Sequence, residues 1–216
     1  MRRVAIYGGT FDPVHNGHVA VARRVLKLFE LDEVIFVPAC VPPHKRNANI
    51  TSAFHRFAML ALATEADQRL LVSTVELDAP ERPYAVDTVA RMINETQRLF
   101  FMMGADSWAE VATWHEWQRL LQMCDLIVVT RPGYEINERL PIETGLVDVR
   151  SKEENIIADF LNRENGPRVF VTDAAMVDVS ATKIRAAVQS NDVASLKTMV
   201  PLSVANYIEK YGLYRN

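Results

Sequence analysis

Val4-Ala5-Ile6-Tyr7-Gly8-Gly9-Thr10-Phe11-Asp12-Pro13-Val14-His15-Asn16-Gly17-His18 decides how this chain folds. Its first four residues are apolar or aromatic, the composition of a short buried strand. A Gly-Gly pair ends that run. Beyond it, Val19, Val21, Ala22, Val25, Leu26 and Phe29 recur at helical spacing, with Arg23, Arg24 and Lys27 on the opposite face. A second β-branched run follows from Val34 to Val37. Strand, helix and strand in that order make one βαβ unit of a parallel sheet. The turn after the first strand is where such a sheet holds its ligands. Gly8 and Gly9 let backbone come close to a phosphate, and free amides at the next helix N-terminus suit an anion. The spacing is neither GxGxxG nor GxxxxGK[ST], which disfavours a dinucleotide dehydrogenase and a P-loop NTPase.

The same alternation continues outward. Further strands are predicted at Leu70 to Val75, Leu99 to Met103, Leu126 to Thr130 and Arg168 to Val171. Amphipathic helices are predicted at Phe54 to Thr64, Asp87 to Glu95, Trp117 to Met123, Thr182 to Gln189 and Val204 to Tyr211. The stretch from Gly133 to Pro167 is charged and weakly periodic and reads as surface elaboration, with no domain boundary in it. Neither an internal repeat nor a low-complexity tract is present. Both ends of the chain are expected to build one site.

Composition limits the function classes. The chain has 216 residues, 49% hydrophobic and 24% charged, as expected of one soluble globular unit. Its formal net charge of -3 provides no global positive field of the kind a general nucleic-acid binder uses, so any phosphate site must be local. Cys40 and Cys124 are too few and too far apart for a zinc knuckle, a CxxC pair or a disulfide framework, and they fit a reducing cytosol. The apolar run after Met1-Arg2-Arg3 is too short for a signal sequence, and no stretch approaches membrane-spanning length. A soluble, cytoplasmic protein without nucleic-acid or membrane partners is expected.

Several segments carry groups suited to chemistry. His15 and His18 stand three apart at a helix start. Zinc ligation would need a third ligand of recognisable spacing, and none accompanies them. Helix capping is the ordinary role for such a pair, but their place directly after the Gly-Gly turn favours a ligand role. Pro38-Ala39-Cys40-Val41-Pro42-Pro43-His44-Lys45 follows the second strand on the same carboxyl edge. Lys45 there is either a phosphate ligand on a stiff loop or part of a solvated basic tip. Gly104-Ala105-Asp106-Ser107 follows the fourth strand, and Asp106 or Ser107 is also a competent helix cap. Ser180-Ala181-Thr182-Lys183-Ile184-Arg185 opens a late helix, where Ser180 is again a competent cap. A cap has no need of the basic pair, whereas a triphosphate is bound by such hydroxyls and guanidinium. Trp108, Trp114 and Trp117 form an aromatic cluster whose default role is core packing.

Gly8 to His18, with His15-Asn16-Gly17-His18 as an HxGH element, resembles the nucleotidyltransferase superfamily related to class I aminoacyl-tRNA synthetases. Pro38 to Lys45, Gly104 to Ser107 and Ser180 to Arg185 extend the resemblance, over nearly the whole chain, to the bacterial nicotinate-nucleotide adenylyltransferase family. The resemblance implies one nucleotidyltransferase domain over residues 1–216, an α/β fold with a Rossmann-like doubly wound parallel sheet and helices on both faces. It implies His15, His18, Lys45 and Arg185 as catalytic. ATP would be bound by Gly8, Gly9, Thr10, Phe11, His18, Gly104, Asp106, Ser180, Thr182 and Arg185. Nicotinate mononucleotide would be bound by Lys45, Thr88 and Trp114, with the indole of Trp114 stacked on the pyridine ring. Tyr84-Ala85-Val86-Asp87-Thr88 resembles the segment that holds the pyridine carboxylate, although Thr88 also suits a helix start. Ala85 and Ala181 depart from the family, which often has hydroxyl residues at those places.

The chemistry implied is adenylyl transfer in NAD biosynthesis. The acceptor's phosphate attacks the α-phosphorus of ATP, pyrophosphate leaves, and deamido-NAD is formed. A phosphate monoester with a second pKa near about 6 needs no general base at neutral pH. The protein's part is positioning and charge stabilisation. Mg²⁺ is expected with ATP, carried mostly by phosphate oxygens and water, and no protein metal ligand is assigned. Pantetheine-phosphate adenylyltransferase, a nucleotide-binding regulatory module and a class I synthetase fragment are the rival classes. Trp114 and the Pro-Pro-His-Lys loop speak against the first, the full set of His15, His18, Lys45 and Arg185 against the second, and the charge balance against the third. The choice of acid over amide rests on the resemblance alone, and a monomer and a homodimer are equally compatible with the sequence.

Overall fold

A computed structural model of the protein describes residues 1–40, 50–79, 83–130, 145–152, 154–162, 166–174 and 179–215. Seven strands form one parallel sheet in the order β3-β2-β1-β4-β5-β7-β6. They are β1 (Arg2–Gly9), β2 (Glu33–Pro38), β3 (Leu70–Val72), β4 (Gln97–Gly104), β5 (Asp125–Val129), β6 (Leu146–Asp148) and β7 (Val169–Thr172). Every pairing is parallel, and at the centre Ile6 lies between Ile35 and Phe101. The described helices are α1 (Asn16–Leu28), α2 (Ala53–Thr64), α3 (Ala85–Met92), α4 (Ala105–Ala109), α5 (Trp117–Met123), α6 (Glu154–Leu161), α7 (Ala181–Gln189), α8 (Val193–Met199) and α9 (Leu202–Tyr211). None of them is long and apolar enough to cross a membrane.

Side chains alternate across a strand, so a sheet covered on both faces needs apolar residues at successive positions. Ala5, Phe100, Met102, Ile127 and Phe170 point to one face, where they pack with α1, α2, α6, α7, α8 and α9. Val4, Ile6, Leu99, Phe101, Met103, Leu126 and Val128 point to the other and pack with α3, α4 and α5. This is a Rossmann-like, doubly wound α/β fold. Each fully buried Leu, Ile or Phe contributes about 1.5–3 kcal/mol relative to exposure, and the two layers together hold the sheet between helices. The strand order reverses between β1 and β4, so the carboxyl ends of those two strands open onto a crevice, the usual ligand position in such sheets.

The stretch after Gly133 is more than surface elaboration. It supplies the edge strand β6 and the helix α6, whose Ile157 and Leu161 are buried. A polar lattice fixes the end of α6 to the amino ends of the strands, while β6 pairs with β7. Asp125 accepts from Arg98 Nε at 2.7 Å through Oδ2 and from the Arg168 amide at 2.9 Å through Oδ1. Arg98 and Arg168 also donate to the carbonyls of Leu161 and Phe160 at the end of α6. A three-residue strand and one buried i,i+4 pair leave too little periodicity to be seen in sequence. Helix α8 lies where the sequence pattern marks no element; Asp192 caps it, accepting from the Ser195 amide at 3.0 Å. Helix α3 starts at Ala85 rather than Asp87, because Asp87 sits inside the first turn and reaches back to the Tyr84 amide at 2.9 Å.

Candidate active site

The loop between β1 and α1 is shaped by Phe11. Its backbone takes φ 49, in the left-handed region, and its ring is 3% exposed. The ring meets Tyr7, His18 and Phe36 edge-on at centroid distances of 5.4, 5.0 and 5.6 Å. A Cβ on Gly9 would stand 2.8 Å from the Phe11 ring, so Gly9 is required by packing as well as available to a ligand. The side chain of Phe11 therefore faces the core, which leaves its backbone to line the loop.

His15 and His18 form a reciprocal cap at the start of α1. Nδ1 of His15 accepts from the His18 amide at 3.3 Å, and Nδ1 of His18 accepts from the His15 amide at 3.2 Å. The rings are stacked, 3.6 Å between centroids and 22° between planes. An imidazole that accepts at Nδ1 carries its proton at Nε2 when neutral. Both rings are thereby fixed in the tautomer that offers Nε2–H as a donor. Burial, and next the electrostatic influence of the neighbouring His15, hold His18 well below the usual histidine pKa, which keeps it neutral. Capping and ligand donation are compatible here because they use opposite nitrogens.

Asp12, 7% exposed, ties the loop to the far end of the chain. Arg185 Nη1, from α7, donates to the Asp12 carbonyl at 2.7 Å. Tyr214 donates its hydroxyl to Asp12 Oδ1 at 2.7 Å, and the Thr51 amide donates to Oδ2 at 3.4 Å. Ser180 caps α7, accepting from the Lys183 amide at 3.3 Å, and Thr182 accepts from Arg185 Nη2 at 3.3 Å. His15, His18, Ser180, Thr182 and Arg185 are thus brought to one side of the β1 carboxyl end.

Arg56 of α2 is a buried cation that the sequence reading passed over. It is 1% exposed and donates to four carbonyls: Thr10 at 2.7 Å, Ala39 at 2.6 Å, Cys40 at 3.1 Å and Thr51 at 2.9 Å. Burial lowers its pKa from the ordinary value, and Asp12 acts in the opposite sense. One guanidinium so joins the carboxyl ends of β1 and β2. An arginine alone on the apolar helix Ala53–Thr64 was the available signal.

Across the crevice, Gly104 ends β4 and precedes α4. A Cβ there would meet nothing within 4 Å, so packing does not demand glycine at this point, and the space above it stays open. Asp106 is exposed in the first turn of α4. Trp108 is buried in the core and Trp117 is partly buried against it. Trp114 is half-buried and meets Phe101 edge-on at 6.4 Å. Phe101 in turn lies under Gly8, 3.2 Å from where its Cβ would be. Thr88 is 1% exposed and its hydroxyl donates to Glu76 Oε1 at 2.8 Å, so that hydroxyl is already committed within the protein. The Cys40 amide donates to Glu76 Oε2 at 3.4 Å, and burial raises the Glu76 carboxyl above its ordinary pKa. Lys45 lies outside the described residues. Asp12, Glu76 and Tyr214 were not singled out from sequence; no local pattern distinguishes them.

Residues 6–187 match the cytidylyltransferase-like family. The chain is 38% identical to a probable nicotinate-nucleotide adenylyltransferase of Thermoanaerobacter sp. (strain X514), covering 99% of this chain and 94% of that one. It is 34% identical to a probable nicotinate-nucleotide adenylyltransferase of Citrifermentans bemidjiense, covering 98% of each. In structure it is similar to Plasmodium falciparum nicotinic acid mononucleotide adenylyltransferase complexed with NaAD, with a TM-score of 0.73 at 18% identity over 99% of this chain and 98% of that one.

Proposed function

The chain belongs to the cytidylyltransferase-like family, and from that premise we propose that it joins ATP and nicotinate mononucleotide into deamido-NAD and pyrophosphate. The observation that carries this is the reciprocal cap of His15 and His18, which leaves the proton of each neutral ring on Nε2 at the crevice end of β1. The mononucleotide phosphate, dianionic near neutral pH, attacks the α-phosphorus directly. A new P–O bond forms, the bond from the α-phosphorus to the bridging oxygen breaks, and pyrophosphate carries away the electron pair. No side chain need act as nucleophile or base. His15 and His18 donate to the α-phosphate as charge builds, each such donor being worth about 10²- to 10³-fold in rate.

Arg185, Ser180 and Thr182 bind the outer phosphates of ATP, and Lys45 binds the mononucleotide. The open approach over Gly8, Gly9, Thr10 and Gly104 admits the nucleotide, and Asp106 accepts from it. Trp114 stacks on the pyridine ring. Thr88 supports that side of the site through α3, since its hydroxyl is held by Glu76. The donors facing the loop are nitrogen groups suited to phosphate oxygen, so Mg²⁺ fits this site as an ion carried by the triphosphate, where it supplies charge neutralisation. The 216 residues act as one nucleotidyltransferase domain, monomeric or homodimeric, in the cytoplasm.

The test is pyrophosphate release with ATP, Mg²⁺ and, separately, nicotinate mononucleotide, nicotinamide mononucleotide and phosphopantetheine, beside a His18→Ala control. Fastest turnover with the nicotinate compound and loss in the control are expected. Faster turnover of phosphopantetheine would overturn the substrate, and ATP binding without turnover in any mixture would overturn the activity.

A further inference from the structure

The Asp12 junction has a charge problem built into it. Arg185 rests its Nη1 on the carbonyl of Asp12 and its Nη2 on the hydroxyl of Thr182, both neutral oxygens. The same Asp12 also carries a carboxylate, which a guanidinium prefers to a carbonyl as a hydrogen-bond partner. That carboxylate is occupied instead by the Tyr214 hydroxyl at 2.7 Å and the Thr51 amide at 3.4 Å. The chain makes a deliberate turn to deliver Tyr214. After α9, Gly212 takes φ 61, the Leu213 amide closes onto the Ile208 carbonyl at 3.1 Å, and Tyr214 itself takes φ 65, unusual for a residue with a side chain. Burial raises the pKa of the Tyr214 phenol, so it remains a donor at neutral pH.

We propose that Tyr214 is a positioning residue that holds the Asp12 carboxylate away from Arg185, leaving the guanidinium available to a phosphate of the nucleotide. This rests on Arg185 as a triphosphate ligand. Removal of the phenol oxygen frees one carboxylate oxygen, which then competes with the nucleotide for Arg185. The defect belongs to nucleotide binding and not to the chemical step, and it is electrostatic.

The experiment measures kcat and KM for ATP in the full chain for Y214F, D12N, Y214F/D12N, D12E and R185A, at low and high salt. Y214F is expected to raise KM for ATP by about fivefold to tenfold, with kcat changed by less than about twofold and the effect shrinking as salt rises. D12N placed on Y214F is expected to return KM to within about twofold of the parent, because a neutral amide forms no ion pair. D12E keeps the phenol but lengthens the carboxylate toward Arg185, and is expected to raise KM for ATP even if Y214F does not fold. R185A left at the parent KM would remove the triphosphate role of Arg185. If R185A raises KM while Y214F and D12E do not, or if D12N fails to rescue a folded Y214F, the role given to Tyr214 is wrong.

Discussion

The imidazoles of His15 and His18 stack at 3.6 Å, and each accepts the other's backbone amide at Nδ1. The cap fixes both tautomers and both orientations with the same pair of hydrogen bonds. His18→Ala is therefore expected to lower kcat by about 10²- to 10³-fold, as for the loss of one preorganised oxyanion donor. The check is steady-state kinetics beside direct ATP titration; ATP affinity should change far less than kcat.

Acid should expose the same pair. His18 is held well below the ordinary histidine value by burial and by His15, so on acidification the unfolded chain takes up a proton before the native state does. Stability from this source is complete above about 6.5, the unfolded value, and falls as pH drops from there toward the depressed native value. Thermal melts between pH 7.5 and 5 should show a slope that His18→Asn reduces. An equal slope in the variant would count against the burial of a neutral ring.

Gly9 and Gly104 should separate fold from function. Gly9→Ala places a methyl 2.8 Å from the Phe11 ring and should cost about 1–3 kcal/mol by overpacking. Gly104→Ala meets nothing within 4 Å and should leave the melting temperature nearly unchanged while raising KM for ATP. Denaturation curves and ATP kinetics on the two variants decide the matter.

Arg56→Lys should be poorly tolerated despite conserving charge. A lysine ammonium has three donors on a point, whereas Arg56 spreads its donors over four carbonyls on three segments. Each buried acceptor left without a partner costs about 1–3 kcal/mol, and urea unfolding should show a loss of that order or more.

Asp125→Ala should destabilise without touching catalysis. It leaves Arg98 and the buried Arg168 without their shared carboxylate at the strand ends opposite the crevice. Loss of one partner from a buried pair costs about 3–5 kcal/mol. Urea unfolding and KM for ATP, measured below the melting transition, should move independently.

The centre of the fold was legible because strands buried on both faces read as continuous apolar runs, and because Gly8-Gly9 marks where the first run stops. The histidine pair was legible for the same reason, by its place after that turn. What escaped was short local structure, such as the three-residue β6, held by pairing with β7, and α6, whose end is tied to the strand ends through Arg98, Asp125 and Arg168. The Asp12–Tyr214 bond escaped because its partners are 202 residues apart and neither lies in a pattern. Trp108 and Trp114 could be told apart in sequence only by resemblance; the structure gives the physical difference, one indole buried and the other half-exposed beside Phe101.

The central strands β1 and β4 have eight residues each, whereas the described outermost strands β3 and β6 have three. A parallel sheet presents a row of unsatisfied amides and carbonyls wherever it ends, and a long row is a template for a foreign strand. Tapering the sheet to three residues at either margin shortens that template to about one turn of pleat. Short edge strands are one means by which a sheet limits pairing with a foreign strand, and here that means lies in strand length alone.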